Sequence, residues 1–321
     1  MGEFMFQNKK LLTIFAISLA AVILALGVFF GIRAYLDNRI TFTVEDTLPD
    51  GEGRTVHVIL LGGQSNASGC SLDEYLSKNV TEEKYSEYAG GYDNVYINYY
   101  VSDTNVSGGF VKCKTGQGEW EGYFGPELGM AEKLHNDYPD EMFFIIKCAW
   151  GGTNLYDQWL PPKSEGKTGL LYKKFFAFVD ASIKYLVAKN YDVKLEAMCW
   201  MQGESDSFAV EHAVGYKENL TNLIGDIRKR YKKYASDDGI VFVDAYIADL
   251  PIFWVYGDLV NESKRAVAES SPLNILIDTI AEGLDTTQEP YDTPDIPHYD
   301  SLSELKLGNL FAEELGKFLD K

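Results

Sequence analysis

The sequence predicts an α/β fold in one domain, with a mostly parallel sheet of five strands and helices on both of its faces. Short apolar runs alternate with amphipathic helical patterns from residue 56 to the end of the sequence. The apolar runs are rich in β-branched residues, which is typical of strands buried on both faces. Polar turns with glycine follow three of the runs, and open α/β sheets form their sites at such turns.

The predicted elements follow one another in a regular order. The strands are expected at residues 56–61, 142–149, 195–201, 240–243 and 273–277. Amphipathic helices are expected from Pro126, which suits a first helical position, and at residues 171–186, 220–231 and from about 303 onward. Two further strand-like runs, at residues 94–101 and 110–114, lie in a polar stretch, where we expect an excursion from the sheet that helps to wall the site.

A long uncharged stretch near the N-terminus predicts a transmembrane helix. Residues 11–32 carry no charged side chain, and as a helix they would reach roughly 33 Å, enough to cross a bilayer. A signal peptide has a shorter apolar region and a cleavage site of small residues, and no such site stands out before Arg33. The pattern favours an uncleaved signal anchor over a cleaved signal peptide or a buried core helix.

The anchor divides the chain into segments. Residues 1–10 form a cytoplasmic leader whose first residues resemble an expression-vector remnant, and Lys9 and Lys10 favour the cytoplasm for that end. Residues 33–54 form a stalk, and residues 55–321 form the domain. We therefore expect a membrane-anchored protein whose domain is extracytoplasmic, or a secreted domain if the N-terminal segment is cleaved.

The composition excludes several kinds of partner and site. The formal net charge is −19, and such a surface repels phosphate backbones, so we expect no nucleic-acid partner. No Cys-x-x-Cys or His-Glu-x-x-His pattern occurs, so we expect no metal and no cofactor. The four cysteines are too few for a disulfide framework. Cys148 and Cys199 lie in apolar runs as expected buried thiols, and a bridge between Cys70 and Cys113 stays open.

The candidate nucleophile, Ser65, lies in the stretch Gly62-Gly63-Gln64-Ser65-Asn66 after the first predicted strand. Two glycines let the chain turn sharply, so Ser65 would lie at the C-terminal edge of the sheet where a helix begins. Serine is also a common helix cap, and this stretch alone leaves both roles open. The turns Gly151-Gly152-Thr153 and Gln202-Gly203-Glu204 follow two other strands and would lie on the same edge.

Among the four histidines, only His298 lies in a proline-containing loop three residues after an acid, Asp295. A serine nucleophile needs such a pair, because the imidazole accepts the hydroxyl proton and the carboxylate fixes the imidazole tautomer. His57 lies in the first predicted strand as a core or edge residue. His135 and His212 lie on or near helices, where we expect them to face solvent.

Together these motifs resemble the sialate O-acetylesterase and acetylxylan esterase group, which is carbohydrate esterase family six of the SGNH (GDSL-like) hydrolase superfamily. The resemblance covers residues 56–318. Its motifs, in the family's order, are Gly63-Gln64-Ser65-Asn66, Phe124-Gly125-Pro126-Glu127, Gly151-Gly152-Thr153 with Trp159, Trp200-Met201-Gln202-Gly203-Glu204-Ser205-Asp206, and Asp295-x-x-His298. It implies a flavodoxin-like three-layer α/β/α fold. Met201 and Tyr299-Asp300 depart from the family's usual residues on the pocket wall, which leaves the identity of the substrate open.

The resemblance also implies roles for individual residues. Ser65 would be the nucleophile, with His298 and Asp295 completing the triad. The oxyanion hole would comprise the Ser65 amide, the Gly152 amide and the Gln202 side chain.

A layer of supporting side chains is expected around these groups. Glu204 and Asp206 would hold the turns by hydrogen bonds to backbone amides. Gln64 and Asn66, on either side of Ser65, belong to the same layer. Gly151 is the alternative to its neighbour as an oxyanion donor, because the sequence does not show which glycine amide points inward.

The implied function is that of a serine esterase that removes O-acetyl groups from an acetylated polysaccharide or from sialic acid, through an acetyl-enzyme on Ser65. The same triad would also serve an acetyltransferase, a lipase or a thioesterase. A non-catalytic carbohydrate-binding surface protein is the remaining alternative, and the intact set of Ser65, Asp295 and His298 argues against it. The sequence leaves open the glycan, the acetylated hydroxyl and the oligomeric state.

Overall fold

The computed structural model describes residues 40–319. From Phe42 onward the chain forms one compact unit. The predicted leader at residues 1–10 and the predicted transmembrane helix at residues 11–32 lie outside the described residues. Within residues 40–319, no helix combines the length and the apolar character needed to cross a bilayer.

The described chain contains ten strands and eight α-helices. The strands are β1 (Thr55–Gly63), β2 (Ser71–Leu72), β3 (Val95–Val101), β4 (Asn105–Val106), β5 (Val111–Lys112), β6 (Tyr123–Phe124), β7 (Phe143–Ala149), β8 (Asp192–Met201), β9 (Val241–Ala245) and β10 (Asn274–Ile277). The helices are α1 (Ser65–Ser68), α2 (Asp73–Asn79), α3 (Glu82–Gly90), α4 (Glu127–Asp137), α5 (Leu170–Ala188), α6 (Val210–Tyr231), α7 (Gly257–Ala268) and α8 (Ser301–Leu319). Short 3₁₀ turns lie at Ser205–Phe208 and Lys232–Tyr234.

Six parallel strands form the main sheet, in the order β10-β9-β8-β1-β7-β3. The short strands β4 and β5 pair antiparallel with β3, and β2 and β6 form a separate antiparallel pair. Along β1, both alternating sets of side chains are buried from Val58 to Gly63. Both faces of the sheet are therefore covered, as an α/β/α arrangement requires.

The strand β3 corrects one sequence prediction. The run at residues 94–101 was expected to leave the sheet, but β3 pairs in parallel with β7 along its whole length, from Val95 beside Phe143 to Val101 beside Ala149. The tyrosines and Asn98 that made this run look peripheral belong to a strand near the edge of the sheet, where polar and aromatic side chains are tolerated. The sheet thus has six parallel strands and not five.

The segment before β1 also differs from its prediction as a stalk. The ring of Phe42 packs edge-on against Tyr100 and Phe178, with centroid distances of 4.7 and 5.2 Å. Leu48 is buried, and Thr47 Oγ1 donates a hydrogen bond of 2.8 Å to the Phe110 carbonyl. Apolar burial holds this segment on the domain, which therefore begins near residue 42 and not at residue 55.

Helices α4 and α8 approach each other at two glycines. A Cβ atom on Gly129 would lie 2.0 Å from the carbonyl oxygen of Leu305, and one on Gly308 would lie 2.0 Å from that of Pro126. No side chain fits at either position. The two helices therefore pack backbone against backbone, which brings α8 and the loop before it close to the rest of the domain.

The register of the sheet aligns the turns that carry the candidate site residues. Gly63 at the end of β1 lies beside Ala149 at the end of β7 and beside Met201 at the end of β8. All three strands are parallel, so the chain leaves them at the same level on one edge.

Candidate active site

Ser65 follows a turn that requires glycine at position 63. Gly63 has a φ of +139°, and a Cβ atom there would lie 1.9 Å from the Met201 carbonyl oxygen. The next residues turn directly into α1, where Ser65 is the first helical residue and is 8% exposed. Since the first amides of a helix have no intrahelical acceptor, the Ser65 N–H is available to a ligand.

His298 and Asp295 form the pair that the sequence predicts. His298 Nδ1 lies 2.7 Å from Asp295 Oδ2, and the His298 amide donates to the Asp295 carbonyl over 2.8 Å. The hydrogen bond to His298 lowers the pKa of Asp295, although burial opposes this. Asp295 is therefore ionised at neutral pH, and it directs the other ring nitrogen of His298 away from itself.

Asn66 joins the loop of His298 to the turn of Ser65. Its Nδ2 donates to the Pro297 carbonyl over 3.3 Å, and its Oδ1 accepts from the Tyr299 amide over 3.2 Å. Both neighbours of His298 in the chain are thus held by the residue next to Ser65. Within the described chain no direct hydrogen bond joins Ser65 to His298. Catalytic hydrogen bonds are often long without substrate and tighten when it binds.

The structure distinguishes the two glycines after β7. The Gly151 amide donates to Ser102 Oγ over 3.3 Å, whereas no acceptor for the Gly152 amide is found among residues 40–319. Gly152 has a φ of +65°, and a Cβ atom there would meet no other atom within 4 Å. Gly152 therefore borders open space with a free amide, which favours it over Gly151 as an oxyanion donor.

Gln202 is present at the site, but its amide hydrogens are already engaged. The side chain is fully buried, and Nε2 lies 2.9 Å from the Thr153 carbonyl and 2.6 Å from Asp206 Oδ2. A third acceptor, Gln64 Oε1, lies at 3.2 Å. The structure does not present a free Gln202 N–H to an oxyanion, so this role stays a prediction that requires one N–H to leave its present acceptor.

Asp206 ties together the turns after β7 and β8. Besides Gln202, it accepts hydrogen bonds from the amides of Leu155 at 2.8 Å and Tyr156 at 3.0 Å. Burial raises its pKa to about 6, against the effect of these donors. Gln64 Oε1 accepts from the Ser205 amide at 3.2 Å, which links the turn after β1 to the same network.

Glu204 lies behind Asn66 and His298. Its Oε1 accepts from Asn66 Nδ2 over 2.9 Å, and burial raises its pKa. One member of this region, Tyr216 of α6, was not predicted from the sequence. Its hydroxyl lies 3.0 Å from both the carbonyl oxygen and the Oε1 of Gln202. Tyr216 has the helical spacing of core residues, so no sequence pattern singled it out.

The other histidines and the cysteines have no direct part in this arrangement. His57 pairs with Glu196. His135 and His212 were expected to face solvent, but each is partly buried and stacks on an aromatic ring, at 4.9 Å from Tyr92 and 4.1 Å from Tyr156. All four cysteines are free thiols, so the bridge that the sequence left open is not formed.

A small cavity of about 70 Å³ lies beside His298 and Asp295. Its walls include Tyr75, Tyr123 and Cys70. Two larger cavities, of about 270 and 320 Å³, are lined by other residues and contain no member of the predicted triad. Within residues 40–319, no cluster of histidine, cysteine and acidic side chains is arranged to hold a metal ion.

Comparisons with known proteins agree with this picture. A model of the family described as carbohydrate esterase, sialic acid-specific acetylesterase, matches residues 55–317. The solved structure of an Arabidopsis thaliana protein is 17% identical, with a TM-score of 0.59, over 82% of this chain and 98% of the other. The structure of NanS is also 17% identical, with a TM-score of 0.56, over 86% and 99%. At such low identity these structures show a shared fold. No curated protein sequence matches the chain.

Proposed function

Because the chain belongs to the carbohydrate esterase family of sialic acid-specific acetylesterases, we propose that it removes O-acetyl groups from carbohydrate through an acetyl-enzyme on Ser65. One observation carries the assignment of residues. Asn66, the neighbour of Ser65, holds the residues on both sides of His298, while Asp295 holds its Nδ1. These contacts support a serine hydrolase site in which Ser65 would be the nucleophile, His298 the base and Asp295 the orienting carboxylate.

The reaction would proceed in two halves. Ser65 Oγ attacks the acetyl carbonyl carbon as its proton passes to Nε2 of His298, and Asp295 stabilises the resulting imidazolium. The C–O bond to the sugar then breaks, and the sugar oxygen leaves with the proton from His298. In the second half, water gives its proton to His298 and attacks the acetyl-enzyme, which releases acetate and regenerates the Ser65 hydroxyl.

The oxyanion of each tetrahedral intermediate would be bound by the amides of Ser65 and Gly152. Both are backbone donors in fixed positions, which is what stabilises developing charge at little reorganisation cost. Gln202 would be the third donor if one of its N–H groups turned from the Thr153 carbonyl toward the oxyanion. Loss of one such donor costs on the order of 10²–10³ in turnover.

The acetylated substrate is proposed to be a polysaccharide or sialic acid, which carry the ester that this chemistry cleaves. We also propose that residues 11–32 anchor the domain on the outer side of the cytoplasmic membrane. The support for the anchor is the uncharged length of that stretch and the lysines that precede it. Fractionation of cells, with and without alkaline washing of the membranes, would test it.

The triad assignment is tested by comparing the full-length wild type with Ser65→Ala on p-nitrophenyl acetate and on an acetylated sugar. We expect Ser65→Ala to lower kcat by at least about 10³-fold on both esters, because the variant lacks the hydroxyl that would attack the acetyl carbonyl carbon. The control is Ser86→Ala, which changes an exposed serine of α3. An acetyl adduct on Ser65, trapped at low pH and seen by peptide mass spectrometry, would identify the intermediate. Hydrolysis at the wild-type rate by Ser65→Ala would rule out the proposal.

A further inference from the structure

The exposed apolar side chains of the domain are concentrated at the edge of the sheet where the candidate site lies. Most of the large ones lie in the loops after β7, β8, β9 and β10 or in the first two turns of the helices that follow those loops. Parallel strands deliver all of these segments to the edge at their carboxyl ends. Among the exposed large apolar residues of the described chain, only Val187, near the end of α5, lies at the opposite edge. The connections there expose charged residues instead, such as Asp140, Glu141 and Asp237.

Six of the side chains at the edge with the site form what we call the apolar rim: Trp120, Phe208, Ile252, Phe253, Val255 and Tyr291. Phe208 and Phe253 pack against Trp254, with centroid distances of 5.5 and 6.2 Å, which joins the turn after β8 to the loop after β9. Tyr291 packs edge-on against Tyr75 at 4.6 Å, and Tyr75 lines the cavity beside the predicted triad. The rim therefore extends from the loop after β9 to the neighbourhood of the site.

Trp120 places the rim next to the candidate nucleophile as well. It follows Glu119, whose amide donates to the Gly69 carbonyl over 2.8 Å, and the Gly69 amide donates to the Ser65 carbonyl over 2.8 Å. Trp120 is exposed all the same. Apolar side chains that are grouped on a protein surface mark a site of contact with protein or membrane.

The composition of the rim favours lipid as the material that covers it. Ile252 is 90% exposed and Val255 is also exposed, and a branched aliphatic side chain has no flat face on which a sugar ring could stack. Tryptophan and tyrosine are enriched where proteins meet the boundary between lipid headgroups and acyl chains, and apolar side chains enter that boundary in proteins that lie on a membrane. A second copy of the chain on this edge would close the site that the edge carries.

The described chain enters the domain at this same edge. Phe42 packs against Tyr100, the next-to-last residue of β3, at 4.7 Å, and Tyr100 packs against Trp150, the first residue after β7, at 5.5 Å. From there the chain runs to the opposite edge, where the Gly51 amide donates to the carbonyl of Lys189, just after α5, over 2.6 Å. The N-terminal attachment point of the domain therefore lies at the edge that carries the candidate site.

The chain between the proposed anchor and Phe42 is short. Residues 33–41 extend to at most about 32 Å. Helix α5 runs from one edge of the sheet to the other over 19 residues, roughly 28 Å at 1.5 Å per residue. For the opposite edge to face a bilayer, residues 33–41 would have to stretch almost fully along the side of the domain. The edge with the rim requires no such extension.

We propose that the edge carrying the candidate active site faces the lipid bilayer, and that the apolar rim rests at the boundary of its headgroups and acyl chains. This inference rests on the proposed membrane anchor, because residues 11–32 would hold the domain close to lipid. The net charge of −19 repels an anionic surface, so the contact depends on apolar burial and is expected with zwitterionic lipid.

The test places a fluorophore on each edge of the domain in the full-length protein. Ile252→Cys puts it on the rim, and the matched control Val187→Cys puts it on an exposed apolar residue at the opposite edge. Three native cysteines are buried and Cys70 is partly buried, so labelling of the wild type measures the background. Val255→Cys gives a second position on the rim if Ile252→Cys fails to fold.

Each labelled protein is reconstituted in phosphatidylcholine vesicles, which are washed at alkaline pH. Half of the samples contain a lipid with a nitroxide quencher near the headgroup end of its acyl chain. We expect this lipid to quench the fluorophore on the rim by about half or more, because the rim lies within the layer that carries the quencher. The fluorophore at position 187 should keep at least about nine-tenths of its emission, since the length of α5 separates it from that layer.

Three results would overturn the inference alone. Emission that is unquenched at both edges would mean that the domain is held away from the bilayer. Equal or stronger quenching at position 187 would mean that the edge with the site does not face lipid. A blue shift on the rim without quenching would mean that protein, such as a second copy of the chain, covers it.

A different result would overturn the proposed anchor and this inference with it, namely release of the full-length wild type from the vesicles by the alkaline wash. None of these results bears on the proposed ester hydrolysis, which is tested separately with Ser65→Ala. The failure of the orientation, of the anchor and of the proposed chemistry can therefore be told apart.

Discussion

The side chain of Asn66 binds three groups in two distant parts of the chain. It reaches Glu204 in the turn after β8 and two backbone groups of the loop that holds His298, which lie 231 and 233 positions further along the chain. Removal of a residue that holds a metal ligand in place commonly lowers activity by about 10–100-fold. By analogy, we expect a similar loss when a side chain that positions a catalytic group is removed.

We therefore predict that Asn66→Ala lowers kcat by about 10–100-fold with a smaller change in KM. The loop with His298 would lose two of its anchors, and Glu204 would lose the donor to its Oε1. The variant Asn222→Ala removes an amide that binds Ser164 far from the triad in sequence, and it should keep the wild-type kcat. Steady-state kinetics on p-nitrophenyl acetate measures kcat and KM for both variants and the wild type. A wild-type kcat in Asn66→Ala would contradict the positioning role.

At the residue scale, the motifs predicted a triad of Ser65, Asp295 and His298, because each lies in a turn whose residues are chemically unusual together, and the structure confirms the pairing of Asp295 with His298. They could not choose between Gly151 and Gly152, since the direction of an amide depends on φ and on a serine from a distant turn. They also could not show that the amide hydrogens of Gln202 are engaged. Those acceptors lie in three different segments of the chain.

Glu119 shows a different limit of prediction from sequence. Nothing in the residues around it differs from an ordinary polar loop, and its neighbour Glu121 has the same side chain with none of the burial. Only the folded chain shows that one carboxylate is enclosed without a donor while the other faces water.

At the element scale, the contact of α4 with α8 depends on two glycines. We predict that Gly308→Ala lowers the free energy of unfolding by about 1–3 kcal/mol or more, because its methyl group would lie 2.0 Å from a backbone oxygen that cannot move alone. The control is Gly225→Ala in α6, where a Cβ atom meets nothing within 4 Å. That change should stabilise the helix by roughly 0.5–1 kcal/mol.

Urea unfolding of both glycine variants beside the wild type gives these differences. Gly308→Ala should lower the free energy of unfolding and Gly225→Ala should raise it. This difference separates a steric contact from a general effect of alanine in a helix. If Gly308→Ala were as stable as the wild type, the two helices would have to be further apart than the structure places them.

The elements were predicted best where strands are buried on both faces. β1, β7 and β8 were found because their apolar runs are continuous, as in a central parallel strand. β3 was placed outside the sheet because its run contains Asn98 and several tyrosines. The segment from Phe42 to β1 was interpreted as a stalk, since its few apolar residues are spaced among charges and show no period.

At the scale of the whole molecule, several buried carboxylates make stability depend on pH. Burial raises the pKa values of Asp73, Asp206 and Asp300 to about 6, and it raises that of Glu304 well above its usual range. The folded state therefore holds protons that the unfolded chain releases near pH 4. The stability that these groups contribute is complete below about pH 4 and is lost as the pH rises through about 6 and, for Glu304, beyond.

We predict that Tm falls by several degrees between pH 5 and pH 8. Carboxylates with lowered pKa values, such as Asp295, act in the opposite direction but only below this range. Glu304 has no hydrogen-bond partner for either oxygen, so Glu304→Gln should reduce the fall without removing a contact. Calorimetry in matched buffers measures both proteins. A Tm that rises from pH 5 to pH 8 would contradict the prediction.

The central position of β1 has a consequence for the order in which the site assembles during synthesis. β1 is made before both of its neighbours in the sheet, β7 and β8. The apolar surface of β1 therefore stays unpaired until these later strands have been synthesised. Such a topology slows folding and leaves intermediates exposed. Ser65 leaves the ribosome with β1, whereas Asp295 and His298 follow only after all six parallel strands. A nascent chain thus carries the proposed nucleophile without its proposed base, and we expect esterase activity only after nearly the whole domain has been translated.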